Sequence, residues 1–443
     1  MARPRAAVEE VLVDDDEVDV IVVGAGVAGC VAAYRLAAAG RSVVLLERGA
    51  TPGGKNLSGG VFYCRVMEQV FPGFVDAAPV ERVVTRNQVL ALTPDGSVGL
   101  DSRDASLAAP ANAVTVLRAH LDAWLVERCE EVGVMVLPGV RADGLVREHG
   151  RVVGVEAGED VLRARLVILA DGVNSFLARS IGLRAPEPQE RLAVGVKSVI
   201  RLGRERLEDR FGVRGRDGAA IAAMGDATLG IGGGGFCYTN TDSVSVGVVL
   251  RLDSLVASGL SSSDVHDHFL AHPAIAPYLE GGELLEYGCH LTIEDGPAMA
   301  REPIAAPGVL LVGDAAGFTL NTGLTIRGMD LAAGSAIAAS TVAEHALAGD
   351  DLGLASEEAY RAELARGVVG ADLETYRHAP AFLERDELYR DAGPLVAGIL
   401  HDVFALDGTP RRRLVPTARR ALRRSPLSIR RLAGLGLAAA RSL

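Results

Sequence analysis

Residues 18–23, apolar but for Asp19, read as a short buried strand, and they lead straight into Gly24-Ala25-Gly26-Val27-Ala28-Gly29 and an Ala-rich stretch that predicts a helix ending near Gly40. A second apolar run, residues 42–46, closes with Glu47 and completes a βαβ unit. The same pattern of buried strand followed by a turn recurs twice. Residues 166–169 lead into Ala170-Asp171-Gly172, and residues 308–312 lead into Gly313-Asp314-Ala315-Ala316-Gly317. Helical periodicity follows over residues 325–346. In between, residues 185–297, with a contribution from 83–100, alternate in the manner of an antiparallel sheet, with strands expected at 192–202, 219–225, 228–232 and 243–252.

The pattern predicts an α/β chain: a Rossmann-like dinucleotide-binding domain, an inserted antiparallel-sheet substrate domain and a C-terminal helical region. The expected division is an acidic tail over 1–18, a discontinuous nucleotide domain over 19–82, 101–184 and 298–348, and a substrate domain over 83–100 and 185–297. C-terminal helices would follow over 349–407 and an Arg-rich tail over 408–443. At 443 residues the chain is long enough for two or three domains.

Each glycine of the first turn has its own expected task. Gly24 makes the tight turn, Gly26 lets a pyrophosphate approach backbone N–H groups at a helix N-terminus, and Gly29 allows close helix-to-strand packing. Glu47 is placed to accept hydrogen bonds from ribose hydroxyls, which disfavours a 2′-phosphate and hence NADP. The fingerprint alone does not choose between FAD and NAD. Asp314, at the end of a second strand, is suited to ribityl or ribose hydroxyls, and the helix after it can aim its positive end at a flavin.

Together these three segments resemble the glutathione-reductase-type flavoproteins, in the branch that holds aromatic hydroxylases, geranylgeranyl reductases and electron-transfer-flavoprotein:quinone oxidoreductases. The resemblance implies FAD. It also implies cofactor contacts from Arg118, in Val116-Leu117-Arg118-Ala119-His120-Leu121-Asp122, from Arg48 beside Glu47, and from Asp171 and Gly172. Two further stretches narrow it: Gly53-Gly54-Lys55-Asn56-Leu57-Ser58-Gly59-Gly60 and Leu320-Asn321-Thr322-Gly323-Leu324-Thr325-Ile326-Arg327-Gly328-Met329-Asp330. Both look like FixC proteins, relatives of the quinone oxidoreductases, in which these loops flank the isoalloxazine. The likeness runs from Asp19 to about Ala348 and places Lys55, Asn56, Gly59, Gly313, Asp314, Gly323 and Leu324 among the cofactor contacts. The Pro-then-Gly-Gln-Gly loop of the hydroxylases and the Pro-Leu-Thr-Gly-Glu-Gly loop of the geranylgeranyl reductases do not appear in this sequence.

The family implies electrons taken from an electron-transfer flavoprotein and passed toward a quinone. Quinone oxidoreductases of full length carry a ferredoxin-like domain. Here Cys30, Cys64, Cys129, Cys237 and Cys289 are scattered with no CxxC, so the iron–sulfur centre is expected on a separate ferredoxin-like subunit. The alternative is a stand-alone dehydrogenase, reductase or monooxygenase acting on a small apolar metabolite; a third reading is a flavin-holding partner subunit without its own turnover. No catalytic side chain is singled out, and no metal site is expected: His268 and His272 stand at i and i+4 but read as a solvated helix face.

A net charge of −12 excludes nonspecific nucleic-acid binding by the body of the protein. Residues 408–443 depart from it, with ten Arg and no Asp or Glu, interleaved with leucines. Peripheral contact with an anionic membrane, docking on the acidic body, or absence of fixed structure all suit this tail. The scattered cysteines and the N-terminus, which carries no apolar signal core, predict a cytoplasmic protein, with the inner face of the plasma membrane as the place of any peripheral contact.

Overall fold

The computed structural model describes residues 17–54, 59–408, 410 and 413–443. The chain runs through β1 (Val18–Val23), α1 (Val27–Ala38), β2 (Val43–Glu47), β3 (Gly60–Phe62), β4 (Val80–Thr93), β5 (Gly96–Arg103) and β6 (Val114–Val116). Next come α2 (Arg118–Glu131), β7 (Met135–Pro138), β8 (Gly144–Glu148), β9 (Arg151–Ala157), β10 (Asp160–Leu169), β11 (Leu192–Arg201), β12 (Asp217–Gly225), β13 (Gly233–Thr239) and β14 (Ser243–Arg251). It continues through α3 (Ser262–Ala271), β15 (Glu283–Ile293), β16 (Ala305–Ala306), β17 (Val309–Leu311), β18 (Leu320–Asn321), β19 (Ile326–Arg327) and α4 (Met329–Ala348), and ends with α5 (Gly393–Phe404), α6 (Leu414–Arg424) and α7 (Ile429–Ser442).

Two sheets divide the work. In the first, β17, β10, β1, β2 and β7 lie side by side and parallel, and their near-continuous Val, Ile and Leu follow from burial on both faces. Alanines let α1 and α4 approach closely: Ala28, Ala32 and Ala33 on one, and Ala332, Ala336, Ala339 and Ala343 on the other, are buried. At the rim the two helices are joined by Arg35 Nε donating to Ser340 Oγ at 2.8 Å, and the loop after α1 is tied to α4 by the Arg41–Glu344 ion pair at 2.7 Å.

The second sheet has the order β15-β11-β14-β13-β12-β4-β6-β3, with β5 on β4. It is antiparallel except where β12 runs parallel to β4. One face carries Val196, Ile221, Cys237, Val246 and Val248 into a separate apolar core closed by Phe269 of α3. The other face is free to meet the nucleotide layer, and the register fixes which side chains it presents.

Three local expectations are corrected. Residues 228–232 form a turn, because Leu229 and Gly230 take left-handed φ values of 53° and 76°, and Thr228 Oγ1 donates to the carbonyl of Ile231. The glycines after it lie inside β13, where a Cβ on Gly235 would stand 2.5 Å from the Phe269 ring; they make room for packing. The helix expected from Thr325 begins at Met329, since Ile326 and Arg327 pair with Asn321 and Leu320 in the hairpin of β18 and β19.

The histidines of α3 are also corrected. His266 Nε2 lies 3.2 Å from Ser198 Oγ, His268 Nε2 lies 2.7 Å from Asp226 Oδ2, and His272 Nε2 lies 2.8 Å from the Thr93 carbonyl oxygen. His266 and His272, the latter just past the end of α3, are buried, while His268 stays half-exposed; all three fasten the helix to the second sheet. The Arg-rich tail forms α6 and α7, kept apart at Pro426, and docks through Ala421, Leu427 and Leu435 on Leu395 of α5.

Candidate functional site

The turns singled out in the sequence meet at one edge, because β1, β2, β10 and β17 are parallel and end together. Gly24 N donates to the Leu46 carbonyl at 2.7 Å, Ala170 N to Val23 at 2.8 Å, and Val312 N to Leu169 at 2.9 Å, so Gly24, Glu47, Asp171 and Gly313 are brought together.

Around the first turn the geometry separates the three glycines. Gly24 has φ +105°, and a Cβ there would fall 2.4 Å from the Ala170 carbonyl oxygen; a Cβ on Gly29 would fall 1.8 Å from that of Gly24. Gly26 caps α1 in an extended conformation, and its absent Cβ faces only Arg118, 3.5 Å from Nη2. Glu47 accepts from Ala25 N at 3.1 Å through Oε2 and from Gly49 N at 2.6 Å through Oε1, which binds the end of β2 to the glycine turn. Arg48 is exposed beside it.

Arg118 opens α2 and is held by Asp122 one turn on, Nε to Oδ1 and Nη2 to Oδ2 both at 2.8 Å, with Asp122 fully buried. Asp314 stands in the turn after β17; burial raises its carboxyl pKa against the opposing charges of Arg118 and Lys197. Gly313, at φ +60°, donates its N–H to Ser335 Oγ of α4 at 2.9 Å. Asp171 follows β10, and burial lifts its pKa to about 6; its Oδ1 is buried with no hydrogen-bond partner among the described residues. Gly172 turns the chain at φ +79°.

Of the loop over residues 53–60, Lys55 and Asn56 lie outside the described residues. Gly59 is buried against the second sheet, where a Cβ would fall 1.8 Å from Ser245 Oγ, and Gly60 faces Met329. The second diagnostic stretch arrives at the same place: Arg327 stands 6.0 Å from the ring of Tyr63, three residues beyond Gly60, and pairs with Asp330 at 2.6 Å and with Asp372. Asn321 Oδ1 accepts from Gly323 N at 2.8 Å, fixing that residue at φ +76°, while Leu324 is exposed at the hairpin tip.

Two groups here were not picked out from the sequence. Lys197, on β11, turns its ammonium over Phe236 of β13, 5.9 Å from the ring centroid. Burial, then the charge of Arg118, pull its pKa down to about 8, against Asp314. A charged residue within the apolar run of residues 194–200 was the available signal. Glu294, just after β15, is buried, and burial above all lifts its pKa to about 7; its Oε1 lies 3.5 Å from Asn321 Nδ2.

The arrangement offers an extended anionic dinucleotide a helix N-terminus and an arginine at one end, a carboxylate at the next strand end, and glycine-lined backbone at the other. The orphaned oxygen of Asp171 and the open side of Gly26 fit such a group. The described residues contain no cluster of three or more metal-ligating side chains and no helix long and apolar enough to cross a membrane.

Residues 19–179 match the family of FAD dependent oxidoreductases. Over 397 residues the chain is 46% identical to a probable electron transfer flavoprotein-quinone oxidoreductase, YdiS, of Escherichia coli (strain K12), covering 89% of this chain and 92% of that protein. Over 396 residues it is 41% identical to Protein FixC of the same organism, with the same coverage of 89% and 92%. Among solved structures, a geranylgeranyl bacteriochlorophyll reductase-like protein of Thermoplasma acidophilum superposes with a TM-score of 0.70 at 19% identity, covering 95% of this chain and 99% of that one, and so shares the fold. With these likenesses over nine-tenths of its length, the chain belongs to the FixC and electron transfer flavoprotein-quinone oxidoreductase family of FAD-dependent oxidoreductases.

Proposed function

We infer that this FAD-dependent oxidoreductase accepts electrons from an electron-transfer flavoprotein and passes them toward a quinone, with the iron–sulfur centre on a separate partner. The observation that carries this reading is the convergence of the 59–63 segment and the 320–327 hairpin on one face of the second sheet, at Ser245, Tyr63 and Arg327, in a chain 46% identical to a probable quinone oxidoreductase. Bound FAD would supply the redox chemistry.

The chain's own residues hold and orient the cofactor. Gly26 and the N-terminus of α1, with Arg118 braced by Asp122, would take the pyrophosphate; Glu47 would take the adenosine ribose and Asp314 the ribityl hydroxyls. Gly59 and Gly323 would let backbone lie against the flat ring, and Lys55 and Asn56 would reach its polar edge. Glu294, beneath Asn321, can hold or release a proton near neutral pH at its Oε1. The sequence, whose five cysteines include no CxxC, supports an iron–sulfur partner in trans.

Peripheral membrane contact through α6 and α7 belongs to the same reading. Their outer surfaces expose Leu414, Val415, Ile429 and Leu437 beside Arg419, Arg420, Arg423, Arg424, Arg430 and Arg431, a composition suited to an anionic leaflet.

The test is anaerobic. Reduction of the yellow protein by reduced electron-transfer flavoprotein is compared with reduction by NADH, and reoxidation by a quinone analogue with reoxidation by oxygen. Rapid reduction by the flavoprotein and reoxidation by the quinone are expected. Turnover with NADH and oxygen, and none with flavoprotein or quinone, would favour an enzyme acting alone on a small metabolite.

A further inference from the structure

The face of the second sheet turned toward the nucleotide layer is fixed by strand register. Lys197 of β11 pairs with Gly247 of β14, which pairs in turn with Phe236 of β13, and on the other side Lys197 pairs with Gly288 of β15. Directly paired residues in antiparallel strands share a face, so Lys197 shares this one with Phe236, Tyr238 and Ser245, and, through Gly195, with His290. Glycines flank the lysine on both neighbouring strands. Its side chain is therefore free to extend over the Phe236 ring, which stacks on Tyr238 at 4.9 Å.

What surrounds the ammonium is unusual for a half-buried cation. It has the Phe236 ring but no hydrogen bond or ion pair to any described residue. Across the layer interface lie Arg118 and Asp314, whose charges it feels, and on its own face His290, whose pKa it depresses together with Arg118 and Arg48 after the larger effect of burial. The carboxylate nearest in kind, Asp314, is shared with Arg118. Arg118 is already paired with Asp122, which leaves Asp314 as the opposing charge that Lys197 feels.

Position along the site separates Lys197 from Arg118. Arg118 comes from the nucleotide layer and faces Gly26, the phosphate end. Lys197 comes from the opposite layer, on the face where Ser245 receives Gly59 and where the chain continues to Tyr63 beneath Arg327. That is the end at which both FixC-type loops meet.

We propose that Lys197 is a cofactor-contacting cation at the ring end of bound FAD, and that its ammonium is the counter-charge for the negative charge the isoalloxazine acquires on reduction. Two electrons and one proton added to the oxidised ring leave one net negative charge, delocalised over the N1–C2=O edge. A fixed cation beside that edge favours the reduced ring. This rests on the cofactor being FAD and on no property of the electron donor or acceptor.

The test uses holoprotein and sulfite. The sulfur lone pair of sulfite forms an S–N bond at flavin N5, the ring C=N pair moves toward N1, no group leaves, and the adduct carries its negative charge on the same edge. Adduct formation bleaches the visible flavin band, so its Kd reads the local charge without turnover. For Lys197→Met the sulfite Kd is expected to rise at least tenfold, and the two-electron midpoint potential, measured with xanthine, xanthine oxidase and a reference dye, to fall. Lys197→Arg is expected to stay within about threefold of the parent in both.

Unchanged sulfite Kd and potential in a Lys197→Met protein that retains FAD would overturn the proposal. So would equal shifts in the Met and Arg variants, which would indicate packing rather than charge. Weaker FAD binding in Lys197→Met with an unchanged sulfite Kd would also overturn it, by moving the lysine to the phosphates. Should the Met variant purify without FAD, Lys197→Gln reconstituted with FAD is read by the same criteria. Failure of the electron-transfer flavoprotein and quinone experiment leaves all of these outcomes readable.

Discussion

Arg118 and Asp122 form a two-pronged ion pair one helical turn apart, at 2.8 Å for each contact, with the carboxylate fully buried and the guanidinium pointing to Gly26. The pair aims a planar fork of donors at the place where the α1 N-terminus opens. Asp122 therefore acts through Arg118, as the group that holds it in one orientation.

Replacing Asp122 by Asn keeps the volume and removes the charge that orients Arg118. FAD affinity is expected to fall about tenfold, or about 1.4 kcal/mol, read from flavin fluorescence on dilution. Asp122→Ala, which strands a largely buried guanidinium, is expected to lower unfolding stability by roughly 3 kcal/mol, read by denaturant titration. Parent-like FAD affinity in Asp122→Asn would show that Arg118 does not meet the cofactor.

The glycines of the first turn are expected to separate on substitution. Gly29→Ala places a methyl 1.8 Å from the Gly24 carbonyl oxygen and should yield protein that does not accumulate in folded form. Gly26→Ala meets only the end of Arg118 at 3.5 Å, so the apoprotein should keep its fold by circular dichroism while FAD affinity drops more than tenfold. Equal effects from the two substitutions would contradict the assignment.

Glu294 makes a signed prediction about pH. Burial raises its carboxyl from the usual 4.5 to about 7, so the folded chain holds a proton that the unfolded chain has released. Stability contributed by this group is complete below about pH 4.5 and lost as pH rises through about 7. Glu294→Gln, neutral throughout, should gain on the parent by roughly 3 kcal/mol between pH 5 and 8, measured as the difference between their urea unfolding free energies. A difference that does not change with pH would show that the carboxyl titrates normally in the fold.

The tail should bind vesicles of phosphatidylglycerol and not of phosphatidylcholine, and release them at about 1 M salt, where screening acts over only about 3 Å. In a sedimentation assay, exchanging Arg419, Arg420, Arg423 and Arg424 for Gln should abolish binding without disturbing FAD content, because these side chains are exposed and α6 and α7 dock through the apolar cluster of Ala421, Leu427 and Leu435 on Leu395. Binding that persists in the fourfold variant would transfer the interaction to another surface.

Much of the nucleotide layer was legible because its signals are local. Val18–Val23 as a strand, α1 after a glycine turn, and Glu47 at the end of β2 follow from apolar runs and punctuation within thirty residues of each other. The helix boundary at Met329 was not, because the Thr322 N–H donates to the Thr325 carbonyl at 3.0 Å, a hairpin contact that helical periodicity does not reveal. Nor was the turn at residues 228–232, which two left-handed residues impose on a sequence whose alternation suits a strand. His268 and His272 read as a solvated face, since nothing near them in sequence announces that Asp226 and the Thr93 carbonyl would stand opposite.

By itself the sequence determined the parallel strands, the turns that end them and the family, since buried runs and glycines act on their own neighbourhood. The tertiary structure alone decided that Lys197 feels the charges of Arg118 and Asp314, and that Glu294 lies beside Asn321. Those relationships depend on the register between strands far apart in the chain. A shift of one residue would turn Lys197 into the apolar core with Val196 and Val246, and only the packed sheet excludes it.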